Sequence, residues 1–125
     1  MRLLLDTHVL LWALQDHSRI RRIRKRLLDP EHEVFFSVAS LWEIAIKRAI
    51  GKIDADVDEI REVAREDGFL ELPILGPHVL AIVALPPIHR DPFDRLLVAQ
   101  AASEPMRLLT GDALLAGYGE AVEVI

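Results

Sequence analysis

Asp6, Glu43, Asp94 and Asp112 are four carboxylates spread along a chain of 125 residues, each at the end of an apolar strand or on a helix otherwise rich in apolar residues. A desolvated charge must be paired, coordinated to a metal or neutralised, so acids in such places suggest a divalent-cation site. Asp6 follows Leu3-Leu4-Leu5, and Asp112 follows Leu108-Leu109-Thr110-Gly111. Both apolar runs read as buried strands opening into a loop, which puts the acids at one end of a sheet. Two carboxylates ~4 Å apart repel by roughly 4 kcal/mol at an effective dielectric of about 20. A cluster of four therefore requires a counter-cation or protons. With oxygen donors and no cysteine thiolate, the expected ion is Mg²⁺ or Mn²⁺ rather than zinc.

Each acid also has a purely structural reading. Asp6 before Thr7 and Asp112 before Ala113 fit helix N-caps. Glu43 and Lys47 are spaced as an i, i+4 helix pair. In His89-Arg90-Asp91-Pro92-Phe93-Asp94, Asp91 fits a cap, Pro92 the first helical position, and Asp94 an acidic capping partner. That spacing places Asp91 and Asp94 on nearly the same face at the positive end of a helix, where an anion cluster is tolerated.

The elements that must position these acids alternate in type. Strands are expected at residues 2–6, 34–37, 69–72, 107–109 and 121–124. Helices are expected at about 7–15, 18–28, 39–50, 56–67, 77–84 and 92–103, with a brief one from about 113. Such alternation implies an α/β fold with a parallel sheet covered on both faces. Ligands of such sheets lie beyond the carboxyl ends of the strands, near a switch in strand order. Asp6 and Asp112 would meet there if their strands are neighbours.

Composition narrows the class. With 51% hydrophobic residues, no repeat and no linker, the chain reads as one domain. The absence of cysteine excludes a disulfide scaffold and fits a reducing cytosol. The N-terminal Met1-Arg2-Leu3-Leu4-Leu5 briefly imitates a signal peptide, but Asp6 and His8 interrupt it; no stretch approaches the ~20 apolar residues of a membrane span, so a soluble protein is expected. A net charge of −5, from 20 acids and 15 bases, argues against a general nucleic-acid coat protein and leaves a nuclease open. The basic run Arg19 to Leu28 has apolar residues at Ile20, Ile23 and Leu27, giving a buried face and a basic outer one, either merely solvated or in contact with RNA phosphate or an acidic partner. The five histidines are dispersed, and none has the paired spacing of a zinc helix. Trp12 and Trp42 read as core or interface anchors.

Together the segments Leu3-Leu4-Leu5-Asp6-Thr7-His8, Ser40-Leu41-Trp42-Glu43-Ile44-Ala45-Ile46-Lys47, His89 through Ala101, and Leu108-Leu109-Thr110-Gly111-Asp112 resemble the PIN-domain ribonucleases, in particular the VapC-like toxins of bacterial toxin–antitoxin pairs. The third segment is the most specific. The resemblance spans residues 1–125 as a single PIN domain and implies a three-layer α/β/α sandwich with a five-stranded parallel sheet in the order 3-2-1-4-5. It carries the family's four acids onto Asp6, Glu43, Asp94 and Asp112, its frequent Ser/Thr onto Thr110, and an extra acid of the subgroup onto Asp91. It further implies Mg²⁺- or Mn²⁺-dependent RNA hydrolysis in the cytoplasm. The implied partners are an RNA substrate and a cognate antitoxin whose C-terminal segment obstructs the acidic site, with the toxin itself a homodimer. Two other readings stand beside it. A phosphoryl-transfer domain of receiver or phosphatase type also places an aspartate after a parallel strand, but Asp6-Thr7-His8 lacks the second acid of an Asp-x-Asp motif. A catalytically inactive PIN fold used only for binding would not require all four acids.

Overall fold

Leu3, Leu4 and Leu5 are all fully buried in the computed structural model, which describes residues 1–125. Side chains alternate across a strand, so Leu3 and Leu5 pack with Val9, Leu10, Val34 and Phe36 on one side. Leu4 packs with Leu97, Val98 and Leu108 on the other. A strand without a solvent face needs cover above and below, and the chain supplies it in alternation. In order it forms β1 (Arg2–Leu5), α1 (Thr7–Leu14), a 3-10 turn (Ser18–Ile20), α2 (Arg24–Leu28), β2 (Glu33–Ser37), α3 (Val38–Ala49) and α4 (Val57–Glu66). Then come β3 (Leu70–Leu72), α5 (Gly76–Ile82), α6 (Pro92–Ser103), β4 (Arg107–Thr110), a second 3-10 stretch (Ala113–Tyr118) and β5 (Val122–Val124).

The five strands form one parallel sheet in the order β3-β2-β1-β4-β5, the expected α/β/α arrangement. Leu5 lies opposite Phe36 on β2 and Leu109 on β4, so three strand ends finish level with one another. The chain winds outward from β1 through β2 to β3, then returns to the other side of β1 for β4 and β5. The reversal of winding falls between β1 and β4, and the loops after these two strands begin with Asp6 and Gly111. Here adjacent strand ends diverge, leaving a crevice.

Local chemistry fixes the helix starts at this edge. The side chains of Asp6, Ser37 and Asp91 accept backbone N–H bonds at the first turns of α1, α3 and α6, and Pro92 opens α6 without wasting a donor. The expected helix over 18–28 is broken into a 3-10 turn and the five-residue α2. An unbroken helix there would stack Arg21 under Lys25 and Arg22 under Arg26 as like-charged i, i+4 pairs, with cations in its first turn. The broken path still buries Ile20 and Ile23 against the core, as their spacing implied. Trp12 also packs against that core, whereas Trp42 is 54% exposed and anchors no part of the interior.

The second core depends on Leu4. Replacing it with Ala should lower the unfolding free energy by about 2–5 kcal/mol, read as a shift of the urea midpoint at unchanged slope. A shift equivalent to less than ~1 kcal/mol would show that the β1–α6 layer is loosely packed.

Candidate active site

Asp6 is 3% exposed, and the two hydrogen bonds to its carboxylate come from different parts of the chain. Its Oδ1 accepts the Val9 N–H at 2.8 Å, and its Oδ2 accepts the Thr110 hydroxyl. The Asp112 N–H in turn donates to Thr110 Oγ1 at 3.0 Å. Thr110 thus ties the loop after β4 to the acid after β1. Burial raises the Asp6 carboxyl above its usual range, the bonds from Thr110 and Val9 and the nearby His8 oppose this, and Glu43 adds to it.

Glu43 reaches the same edge from α3 and is 5% exposed. Its Oε1 accepts the Thr7 hydroxyl at 2.6 Å, and its Oε2 accepts Lys47 Nζ at 2.7 Å. The ammonium of Lys47 is held above its usual range, first by that hydrogen bond and further by the charges of Glu43, Asp91 and Asp94. Asp91 caps α6, its Oδ1 accepting the N–H groups of Phe93 at 2.8 Å and Asp94 at 3.2 Å.

Asp94, one turn into α6, accepts no hydrogen bond of its own. Its carboxyl is pushed up to about 7, first by desolvation and then by the charges of Asp91 and Asp6, with a smaller push from Glu43 and an opposing pull from His89. Asp112 is more exposed: despite some desolvation, hydrogen bonds from the Leu114 N–H and from His89 hold it below the usual carboxylate range.

His89 is the residue the sequence did not single out. Ligand atoms of His89, Asp94 and Asp112 lie within 4.8 Å of one another. His89 Nδ1 accepts the Asp91 N–H at 3.1 Å, so Nε2 carries the proton in the neutral ring and donates to Asp112 Oδ2 at 2.8 Å. Asp94 Oδ2 is 3.6 Å from the same nitrogen. In this tautomer Nε2 has no lone pair to offer a cation, and His89 acts as a donor that aims Asp112. The available signal was position: His89 precedes Asp91 by two residues, in the loop that carries the acid pair.

The geometry therefore gathers Asp94, Asp112 and His89 directly, links Asp6 to Asp112 through Thr110, and couples Asp6, Asp91 and Glu43 to Asp94 through their fields. These oxygen donors suit a hard divalent cation. Asp94, desolvated among negative charges and without a donor, is the group that such a cation would relieve.

A parallel sheet wound in this order, with buried carboxylates at its switch point, defines an α/β domain with an acidic cleft at the strand ends. The chain belongs to the PIN domain family, which residues 3–120 match. Solved structures similar to it include VapBC2 from Rickettsia felis bound to a DNA fragment from their promoter, with a TM-score of 0.75 at 14% identity over 99% of this chain and 98% of that one. FitAcB from Neisseria gonorrhoeae gives 0.66 at 18% identity over 96% and 95% of the two chains. VapBC-5 from Mycobacterium tuberculosis, a member of the VapBC family of toxin-antitoxin systems, gives 0.58 at 23% identity over 99% and 97%. At these identities the likeness is one of fold. No curated protein sequence matches the chain.

The raised Asp94 carboxyl makes stability depend on pH. An unfolded aspartate titrates near 3.9 and Asp94 near 7 in the fold, so between these values the folded chain holds the extra proton and loses stability as pH rises. In EDTA, the melting temperature should fall between pH 5 and pH 8, and Asp94→Asn should flatten that fall. Asp6, shifted the same way, leaves a residual slope. A wild-type profile unchanged by the substitution would show that Asp94 ionises freely.

Proposed function

We propose that this protein is a metal-dependent endoribonuclease, a VapC-like toxin with the whole chain as one PIN domain. The observation that carries the reading is Asp94, held near pH 7 among Asp6, Asp91 and Glu43 and beside Asp112, at the switch point of a PIN sheet. Asp6, Glu43, Asp94 and Asp112 would hold the ion, and Asp91, which caps α6 beside Asp94, would add its charge to the site. Mg²⁺ or Mn²⁺ held there would supply an activated water and neutralise charge on the phosphate. The protein supplies position. The Thr110 hydroxyl donates a hydrogen bond to Asp6 and so fixes that carboxylate. Thr7 and Lys47 orient Glu43 from opposite oxygens, and His89 aims Asp112. No side chain is needed as a nucleophile.

The partners follow from the same reading. Trp42 and Ile46 are exposed one turn apart on α3, on the stripe next to Glu43, and the Trp42 ring meets Phe93 of α6 edge-on at 4.9 Å. This apolar border to the acids would seat an antitoxin segment that covers them. Val79, Leu80 and Val83 form a second exposed apolar row on and just after α5, the surface a homodimer would use. No helix is long and apolar enough to cross a membrane, and we assign the protein to the cytoplasm.

Purified protein should cut RNA in Mg²⁺ or Mn²⁺ and stop in EDTA, with Asp6→Asn and Asp94→Asn inactive. Mn²⁺ at 100 times its dissociation constant should stabilise the wild type by roughly 2.7 kcal/mol, with a smaller thermal shift in both variants. Cleavage that persists in EDTA, or equal Mn²⁺ shifts in all three proteins, would refute the metal site. Asp112→Asn cleaving normally would remove Asp112 from the metal site, and with it the role assigned to His89.

Expression alone should arrest bacterial growth, and Asp94→Ala should not. Co-expression of an adjacent antitoxin gene should restore growth. Equal toxicity of wild type and variant would remove the active site as its cause.

A further inference from the structure

The basic segment after α1 is not uniformly solvated. Arg24 pairs with Asp16 and Arg26 with Glu123, whereas Arg19 and Arg22 have no carboxylate partner. Both line a cleft of about 350 Å³ with Ser18 and Ile125. The Ile125 N–H donates to the Thr110 carbonyl at 2.8 Å, so the wall of the cleft is fastened to the strand end that carries the acidic site.

Arg19 is also held in place. Its guanidinium carbon lies 4.5 Å from the centroid of the Trp12 ring, a cation–π contact that restrains an otherwise flexible side chain. Trp12 in turn rests on Gly111: a Cβ at that position would stand 2.6 and 2.9 Å from two ring carbons of Trp12 and 3.5 Å from Arg19 Nη2. Gly111 lies between Thr110 and Asp112. The absence of a side chain there lets Trp12 bring an unpaired guanidinium to the backbone of the active-site loop.

Taking the ribonuclease reading as given, we propose that Arg19 and Arg22 bind backbone phosphate of the single-stranded substrate beside the scissile bond, with Trp12 as the residue that positions Arg19. A strand whose reacting phosphate lies at the acids must carry its next charges past a surface of the same sign. Arg19 is an unpaired cation at that exit, and its planar fork of donors matches phosphate geometry. The contact is to phosphate, which RNA and DNA share, and the cleft itself reads no base.

The test is binding of fluorescein-labelled oligouridine of twelve nucleotides in EDTA, followed by anisotropy across a salt series; cleavage is silent under these conditions. Arg19→Gln with Arg22→Gln should weaken binding several-fold and lower the slope of log Kd against log salt by about 1.4, at ~0.7 per phosphate contact on a single strand. Arg21→Gln with Lys25→Gln removes the same charge outside the cleft and should leave the slope near wild type. Trp12→Leu should lose part of the affinity and Trp12→Phe keep it. Deoxyuridine of the same length should lose affinity equally in the cleft variant. Equal losses in the two double variants, no binding by wild type, or a loss confined to RNA would overturn the proposal. So would a cleft variant that fails only on labelled oligoglutamate, which would assign the cleft to an acidic protein. Wild type that cuts RNA in Mn²⁺ while failing this assay would leave the ribonuclease reading standing and remove the cleft alone.

Discussion

Keeping several carboxylates close together and away from water is the constraint on which the rest of this structure depends. Repulsion of this kind is tolerable only where each charge has its own donors, and the chain assigns them separately. Asp6 has Val9 and Thr110, Glu43 has Thr7 and Lys47, Asp91 has the first turn of α6, and Asp112 has Leu114 and His89. Asp94 has none, and burial first, then the charges of Asp91 and Asp6, hold its carboxyl near 7. A site in which every acid were satisfied internally would have little affinity for a cation. One unsatisfied acid among satisfied neighbours is the arrangement that a hard cation would relieve.

That arrangement explains the strand order. The donors of Asp6 come from α1 and from the end of β4, so β1 and β4 must be neighbours and finish level. The Asp6 N–H donates to the Leu109 carbonyl at 3.0 Å, continuing the ladder one residue past β1. The winding must reverse at this point to open a crevice, and it can do so only if β1 and β4 are covered on both faces. The fully buried Leu3, Leu4, Leu5, Leu108 and Leu109 meet that condition.

Much of this was legible in the sequence because short-range chemistry carried it. The alternation of strand and helix patterns, the apolar runs before Asp6 and Asp112, and Asp91-Pro92 all act within a few residues. The structural readings of several acids hold: Asp6, Asp91 and Asp112 do cap helical turns, and Glu43 does pair with Lys47. A cap points a carboxylate at the end of a helix, and here the helix ends face the crevice. His89 is less legible because its contact with Asp112, 23 residues away, is not encoded by local spacing, and only its place two residues before Asp91 ties it to the acids. The break in the expected 18–28 helix escaped because apolar spacing reports which side chains are buried and does not weigh repulsion among the cations between them.

Net charge gave the least information, and the reason is pairing. A chain at −5 is expected to repel a polyanion. The count treats Arg26, Arg61, Arg107 and Lys47 as free cations, yet each is engaged by a carboxylate, Arg26 and Arg107 both by Glu123. Paired charges cancel over short distances, so the field near the crevice comes from the remainder: Asp94 and its neighbours on one side of Gly111, Arg19 and Arg22 on the other. These residual charges of opposite sign are separated by a residue without a side chain. Carboxylates and unpaired guanidinium groups therefore lie close together along the loop at Gly111, a local pattern that the average of −5 conceals.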